Sequence, residues 1–169
     1  EVSVLAKQAE ESARLLGAEV RVLTLPDNRF DSLDLLDIVK LVEREVEAWQ
    51  PEIVYTHHSG DLNIDHRLTY QAVMTACRPG MTGIKSILSF EVPSSTEAAP
   101  GSSFRPNTFI SLKRSHFLAK IRAYGCFKGE VRPHPHARSM AMLASLASWR
   151  GACGGVKMAE AFELVRGIR

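Results

Sequence analysis

The stretch from Pro51 to Arg67, P-E-I-V-Y-T-H-H-S-G-D-L-N-I-D-H-R, restricts the fold of this chain more than any other. An apolar run, Ile53-Val54-Tyr55, empties into a loop with three histidines, two aspartates and an asparagine within ten residues. A helical pattern follows at once. Strand, polar loop, helix is how open α/β sheets place reactive side chains in the crevice beyond their strand ends. Imidazole and carboxylate together also suit a metal such as zinc. Successive strand residues point to opposite sides, so at most one of His57 and His58 faces such a site, and structural or supporting roles suit both.

The flanking sequence supports an α/β class. Val2, Leu5, Ala6, Ala9, Ala13 and Leu16 share a helical face that Gly17 is placed to end. Glu19 to Leu25 alternates and is rich in β-branched residues, which predicts a strand, and Pro26-Asp27-Asn28 a turn. Asp31 or Ser32 is placed to cap a helix with the stripe Leu35, Ile38, Val39, Val42, Val46 and Trp49. Beyond the Glu52–Thr56 strand and the polar loop, the pattern gives a helix over 65–77, stopped by Pro79-Gly80. Strands follow over 85–92 and 107–112, separated by an exposed connection over 98–106. Helices are expected over 114–124, 137–149 and 158–166, with Pro133–His136 rigid and extended. This order is that of a Rossmann-like three-layer α/β/α sandwich on a largely parallel sheet. It opens on a helix, where a doubly wound sheet usually opens on a strand.

With 169 residues and 45% hydrophobic composition, one domain can form a core without disulfides. The three cysteines, Cys77, Cys126 and Cys153, are far apart and odd in number, which favours buried apolar fillers in a reducing, cytoplasmic setting. No apolar run approaches a membrane span, and no signal peptide is visible. Charge is uneven: residues 1–100 hold 9 Lys+Arg against 16 Asp+Glu, a balance of −7, and residues 101–169 hold 12 against 3, a balance of +9. A basic half attracts an anionic small molecule, or simply complements the acidic half. Its positive residues are scattered without aromatic platforms, which argues against nucleic acid.

The loop and several later motifs resemble those of the zinc-dependent de-N-acetylases, the group of N-acetylglucosaminyl-phosphatidylinositol de-N-acetylase (PIG-L) and its LmbE-like bacterial relatives. The residues that carry the resemblance are Tyr55-Thr56-His57 and Gly60-Asp61-Leu62-Asn63-Ile64-Asp65-His66-Arg67. Leu25–Asn28, Phe90–Glu97, Arg105-Pro106-Asn107, Pro135–Ser139, Arg150-Gly151 and Ala159–Phe162 extend it over nearly the whole chain. It implies a single de-N-acetylase-like domain over 1–169 and hydrolysis of the acetamide of an N-acetylated amino sugar, a glycoside or sugar nucleotide, by zinc-activated water. His66 maps onto the zinc ligand of the family's second motif. The family's first motif, His-Pro-Asp-Asp at the end of the first strand, holds the other two ligands and the general base and does not occur here. The chain is therefore expected to be N-terminally incomplete, lacking that first strand, and to be inactive alone.

Asn63 stands where many relatives carry a histidine that assists the substrate carbonyl; an amide can donate a hydrogen bond but not an acidic proton. His136 is the candidate to take over that role. Asp65, a helix-capping candidate, and Asp61 are each able to orient a ligand imidazole. Arg67 and Arg138 are candidates for a substrate phosphate or sugar hydroxyl, and a plain salt bridge suits each equally well. Ser95 and Glu97, with Asp27 at another expected strand end, suit sugar recognition or turns closed by their own side chains. Outside hydrolysis, a non-catalytic sugar- or nucleotide-binding module accounts for the same loop. Homo-oligomerisation is left open.

Overall fold

The computed structural model describes residues 2–80, 83–101 and 104–168, with side chains for all of these except Val2 and Ser3. Two parts of the expected pattern, the Val2 side chain and residues 102 and 103 of the connection, thus lie outside the described residues. The fold is mixed α/β, with a central open sheet flanked by helices. Its four strands run in the order β1-β2-β4-β3, where β1 is Ile53–His57, β2 Ser86–Phe90, β3 Thr108–Ser111 and β4 Ala159–Gly167. β1 and β2 are parallel, with His57 beside Phe90, and β4 joins β2 antiparallel with an irregularity between Ile87 and Leu88.

The chain forms two compact units, one from Glu1–Leu25 and Phe109–Glu160, the other from Pro26–Thr108 and Ala161–Arg169. In the first, helix α1 (Val2–Leu16) packs against α4 (Arg114–Gly125). Its expected apolar face is only half used, because Leu5 and Leu16 stay more than half exposed. Gly17 ends α1 with φ +66°, the left-handed conformation that glycine adopts at least cost. Helix α5 (Met140–Gly154) is capped by Ser139, whose Oγ accepts from Met142 N. It starts three residues later than its pattern suggested, because residues 134–139 form turns and bends. The segment Pro133–His136 is therefore not extended: His136 N donates to Pro133 O.

The second unit holds the larger core. Helix α2 (Leu35–Trp49) buries Ile38 and Val39 against Ala72, Val73 and Ala76 of α3 (Ile64–Ala76) and against Cys77, Ile84 and Ile87. Leu35, Val42 and Val46 pack around them as the stripe required, whereas Trp49 is exposed and donates from Nε1 to Glu45. No side chain caps α2: its N-cap is Asp34, and Asp31 and Ser32 lie in a short 3-10 turn, Phe30–Ser32.

Two expected elements are corrected. Residues 19–25 form no strand, and Val20, Val22 and Leu23 stay exposed. A β-pattern without a neighbour to take its N–H and C=O groups does not become a strand. Apart from Met158, the segment expected as a helix, 158–166, falls in β4 (Ala159–Gly167), in which Ala159 and Ala161 are buried and Glu163 faces Ser89. Alanine, glutamate and leucine favour helix locally, and pairing with β2 overrides that preference.

Candidate metal centre

All of the loop's chemistry lies within the second unit. The turn after β1 is organised by Asp61, which is 1% exposed. Its Oδ1 accepts from Ser95 Oγ and from Asn63 N (2.9 Å), and its Oδ2 from Thr96 Oγ1 (2.6 Å). Burial alone would raise the Asp61 pKa. The Ser95 and Thr96 hydroxyls, the Asn63 N–H and the His66 ring outweigh burial and lower it. The side chain is thus an ionised carboxylate that can only accept.

That fixes the hydrogen in the next contact. His66 Nδ1 lies 3.0 Å from Asp61 Oδ1, so Nδ1–H donates and, in the neutral ring, Nε2 keeps its lone pair. A carboxylate behind the imidazole, with the far nitrogen free, is the usual setting of a zinc-bound histidine. The donor chemistry at His66 therefore fits one zinc ligand. Among the described residues no group of three or more His, Cys, Asp or Glu side chains is arranged to hold a metal ion.

His57 stacks on His66, with ring centroids 4.1 Å apart and planes 13° from parallel. Its other neighbour is Phe90, at 4.9 Å. Burial, and secondarily the His66 ring, lower the His57 pKa to about 4, and Asp61 opposes them less strongly. His57 is neutral at physiological pH. His58 points elsewhere, as strand alternation required: Nδ1 donates to Glu163 Oε2 at 2.9 Å, and the ring meets the edge of Phe104. Glu163 also accepts from the buried Ser89 hydroxyl and from Arg105 N.

The other candidates take more local places. Asn63 caps α3, its Oδ1 accepting from Asp65 N at 2.8 Å while Nδ2 donates to Asn28 Oδ1 at 3.1 Å. The cap is thus Asn63, not Asp65. Buried Asp65 instead accepts from Phe30 N at 2.9 Å, tying the 3-10 turn to the start of α3. The Arg67 guanidinium donates to the Asp61 and Leu62 carbonyls, each at 2.6 Å, and so clamps the loop. Ser95 serves Asp61, Glu97 accepts from Ser94 N to close its own turn, and Asp27 accepts from Asn28 Nδ2. In the first unit, His136 Nδ1 accepts from Arg138 N, and Arg138 pairs with Glu130. The residues that sequence reasoning left out are Thr96, Ser89 and Glu163. Thr96 sat inside a motif already noticed; Glu163 was hidden by the helical reading of its strand.

Residues 2–77 match the family PIG-L, GlcNAc-PI de-N-acetylase. The uncharacterized deacetylase YaiS of Escherichia coli K12 is 33% identical over 123 residues, which cover 69% of this chain. The chain spans 61% of the length of that relative. Among solved structures, a 4-carboxy-2-hydroxymuconate hydratase, GalB from Pseudomonas putida KT2440, superposes with TM-score 0.73 at 22% identity, over 99% of this chain and 73% of its own. The N,N'-diacetylchitobiose deacetylase of Pyrococcus horikoshii superposes with TM-score 0.64 at 19% identity, over 98% and 64%. At such identities these structures establish the fold and leave the reaction to the site. Residues 2–77 thus carry a match to the PIG-L de-N-acetylase family, and the chain is similar to an uncharacterized deacetylase.

Proposed function

We propose that the protein carrying this chain is a zinc-dependent N-deacetylase that hydrolyses the acetamide of an N-acetylated amino sugar, as a glycoside or sugar nucleotide. The observation that carries this reading is the Asp61–His66 hydrogen bond, which leaves His66 Nε2 free to bind a metal. Zinc, when bound, supplies a Lewis acid and a water whose pKa falls to about 7.

The remaining roles belong to the chain. Asp61, held by Ser95 and Thr96, anchors the Nδ1 edge of the His66 ring. Asn63 uses one amide hydrogen on Asn28, which leaves the second for the carbonyl oxygen of the acetamide. Help from His136, and substrate contacts by Arg138, Arg67, Ser95, Glu97 and Asp27, are further parts of the proposal that single substitutions test. Three free thiols suit the cytoplasmic setting of this reading.

The test is acetate release from N-acetylglucosamine and its glycosides by the complete gene product, before and after chelation and zinc replacement. Activity lost on chelation, restored by zinc and abolished in His66→Ala upholds the reading. Saturable sugar binding without acetate release points instead to a non-catalytic binding module. The hydratase that shares this fold makes one control necessary: release of acetate, not addition of water to an alkene, is the product to follow.

A further inference from the structure

Hydrogen bonding to Asp61 restrains one edge of the His66 ring but leaves the ring able to rock about that contact. The element that restrains its face is His57, stacked nearly parallel at 4.1 Å. His57 is itself held from two sides, by the β1–β2 pairing that sets it beside Phe90 and by the Phe90 ring at 4.9 Å. We propose that His57 is a positioning residue, whose flat ring, with the Asp61 hydrogen bond, fixes the plane in which His66 presents Nε2. The proposal rests on the reading of His66 as a zinc ligand.

Two observations separate this role from direct ligation. A ligand nitrogen's lone pair lies in the plane of its ring, and two nearly parallel rings 4.1 Å apart have no common in-plane point for one ion. In addition, His57 Nδ1 is buried without a hydrogen-bond partner among the described residues. The ring is therefore used through its face, a contact that any flat ring of similar size supplies.

The experiment measures zinc and cobalt affinity, and the cobalt absorption spectrum, for the complete gene product and its variants. His57→Leu keeps volume but lacks a flat face; it is expected to weaken metal binding roughly tenfold, the lower end for outer-shell partners of a metal histidine. His57→Phe keeps the flat face and is expected to stay within about twofold of the parent, with the parent's cobalt spectrum. Wild-type affinity in His57→Leu overturns the proposal, as does equal weakening in both variants. Should His57→Leu not fold, a tenfold loss in His57→Phe overturns the proposal and parental affinity upholds it. His66→Ala separates the two levels: if it leaves affinity unchanged, the zinc reading itself falls, and the proposal with it.

Discussion

At the scale of single residues, Asp61 shows how a carboxylate can stay ionised at 1% exposure: each oxygen is given hydrogen-bond donors. Thr96 Oγ1 accepts from Val92 N and donates to Asp61 Oδ2, so its one hydrogen is committed. In Asp61→Asn an amide group placed at that oxygen would leave the Thr96 hydrogen without an acceptor. A buried donor left unpaired costs about 1–3 kcal/mol. Urea unfolding at pH 7 is expected to show that loss. Metal affinity is expected to fall by about tenfold or more, since the bond behind His66 is weakened.

His57 makes a separate prediction in acid. Its folded pKa, about 4, lies below its ordinary value of 6.5, so the unfolded chain takes up a proton before the folded one does. Stability from this group is complete above pH 6.5, declines as pH falls towards 4, and then levels off. The full difference is about 3 kcal/mol. Asp61 acts lower on the scale: its folded pKa is depressed, so its contribution is present above its ordinary value of 3.8 and is lost as pH falls through the folded pKa. Unfolding free energies of the metal-free protein at pH 7 and pH 4.5 separate the two. His57→Phe is expected to flatten the decline in the upper window only; an unchanged slope there would place the acid sensitivity on another group.

At the scale of elements, α3 starts at Asn63 because its side chain accepts from Asp65 N. Asn63→Ala should cost about 1 kcal/mol and Asn63→Asp very little, as differential scanning calorimetry would show. The close of α5 is controlled sterically. A Cβ on Gly151 would sit 2.7 Å from backbone atoms of Lys157 and Met158, which cannot turn aside as a side chain can. Gly151→Ala is therefore expected to destabilise by about 1–3 kcal/mol or more, and a neutral melting temperature would show that the 155–158 turn can shift.

The same elements show what was legible in the sequence. The α2 stripe, the β1 run and the α3 start are local signals, and the structure follows them because α2 and α3 bury those faces together. The β4 strand was not legible, because A-E-A-F-E-L-V-R-G is locally helical and only β2, some seventy residues away, makes it a strand. In the site, the motif singled out His66, and the structure sets its ring against Asp61. The Asp61 node was not legible: its donors Ser95 and Thr96 come from a loop 34 and 35 residues later, and a sequence does not show that two loops meet. Arg67 illustrates a second case: its type suggested a substrate contact, and its guanidinium also holds two loop carbonyls, which no motif announced.

For the whole molecule, the sheet and helices place one well-oriented imidazole, while a catalytic zinc ordinarily takes three protein ligands and one open position. Among the described residues no such set of three assembles. Affinity for zinc grows steeply with the number of converging ligands, because each further ligand binds an ion that is already held in place. The 169 residues alone should accordingly retain less than one equivalent of zinc after dialysis against metal-free buffer, and should release no acetate from N-acetylglucosamine compounds. Cysteines confuse such a measurement, since Cys153 is exposed and Cys126 is half-buried, so thiols are to be alkylated first. A protein that carries this chain together with further zinc ligands, treated in the same way, is expected to keep one equivalent, and His66→Ala to lose it. Stoichiometric zinc in the alkylated 169-residue chain, surviving His66→Ala, would mean that the metal binds elsewhere and that Asp61 holds His66 for another purpose.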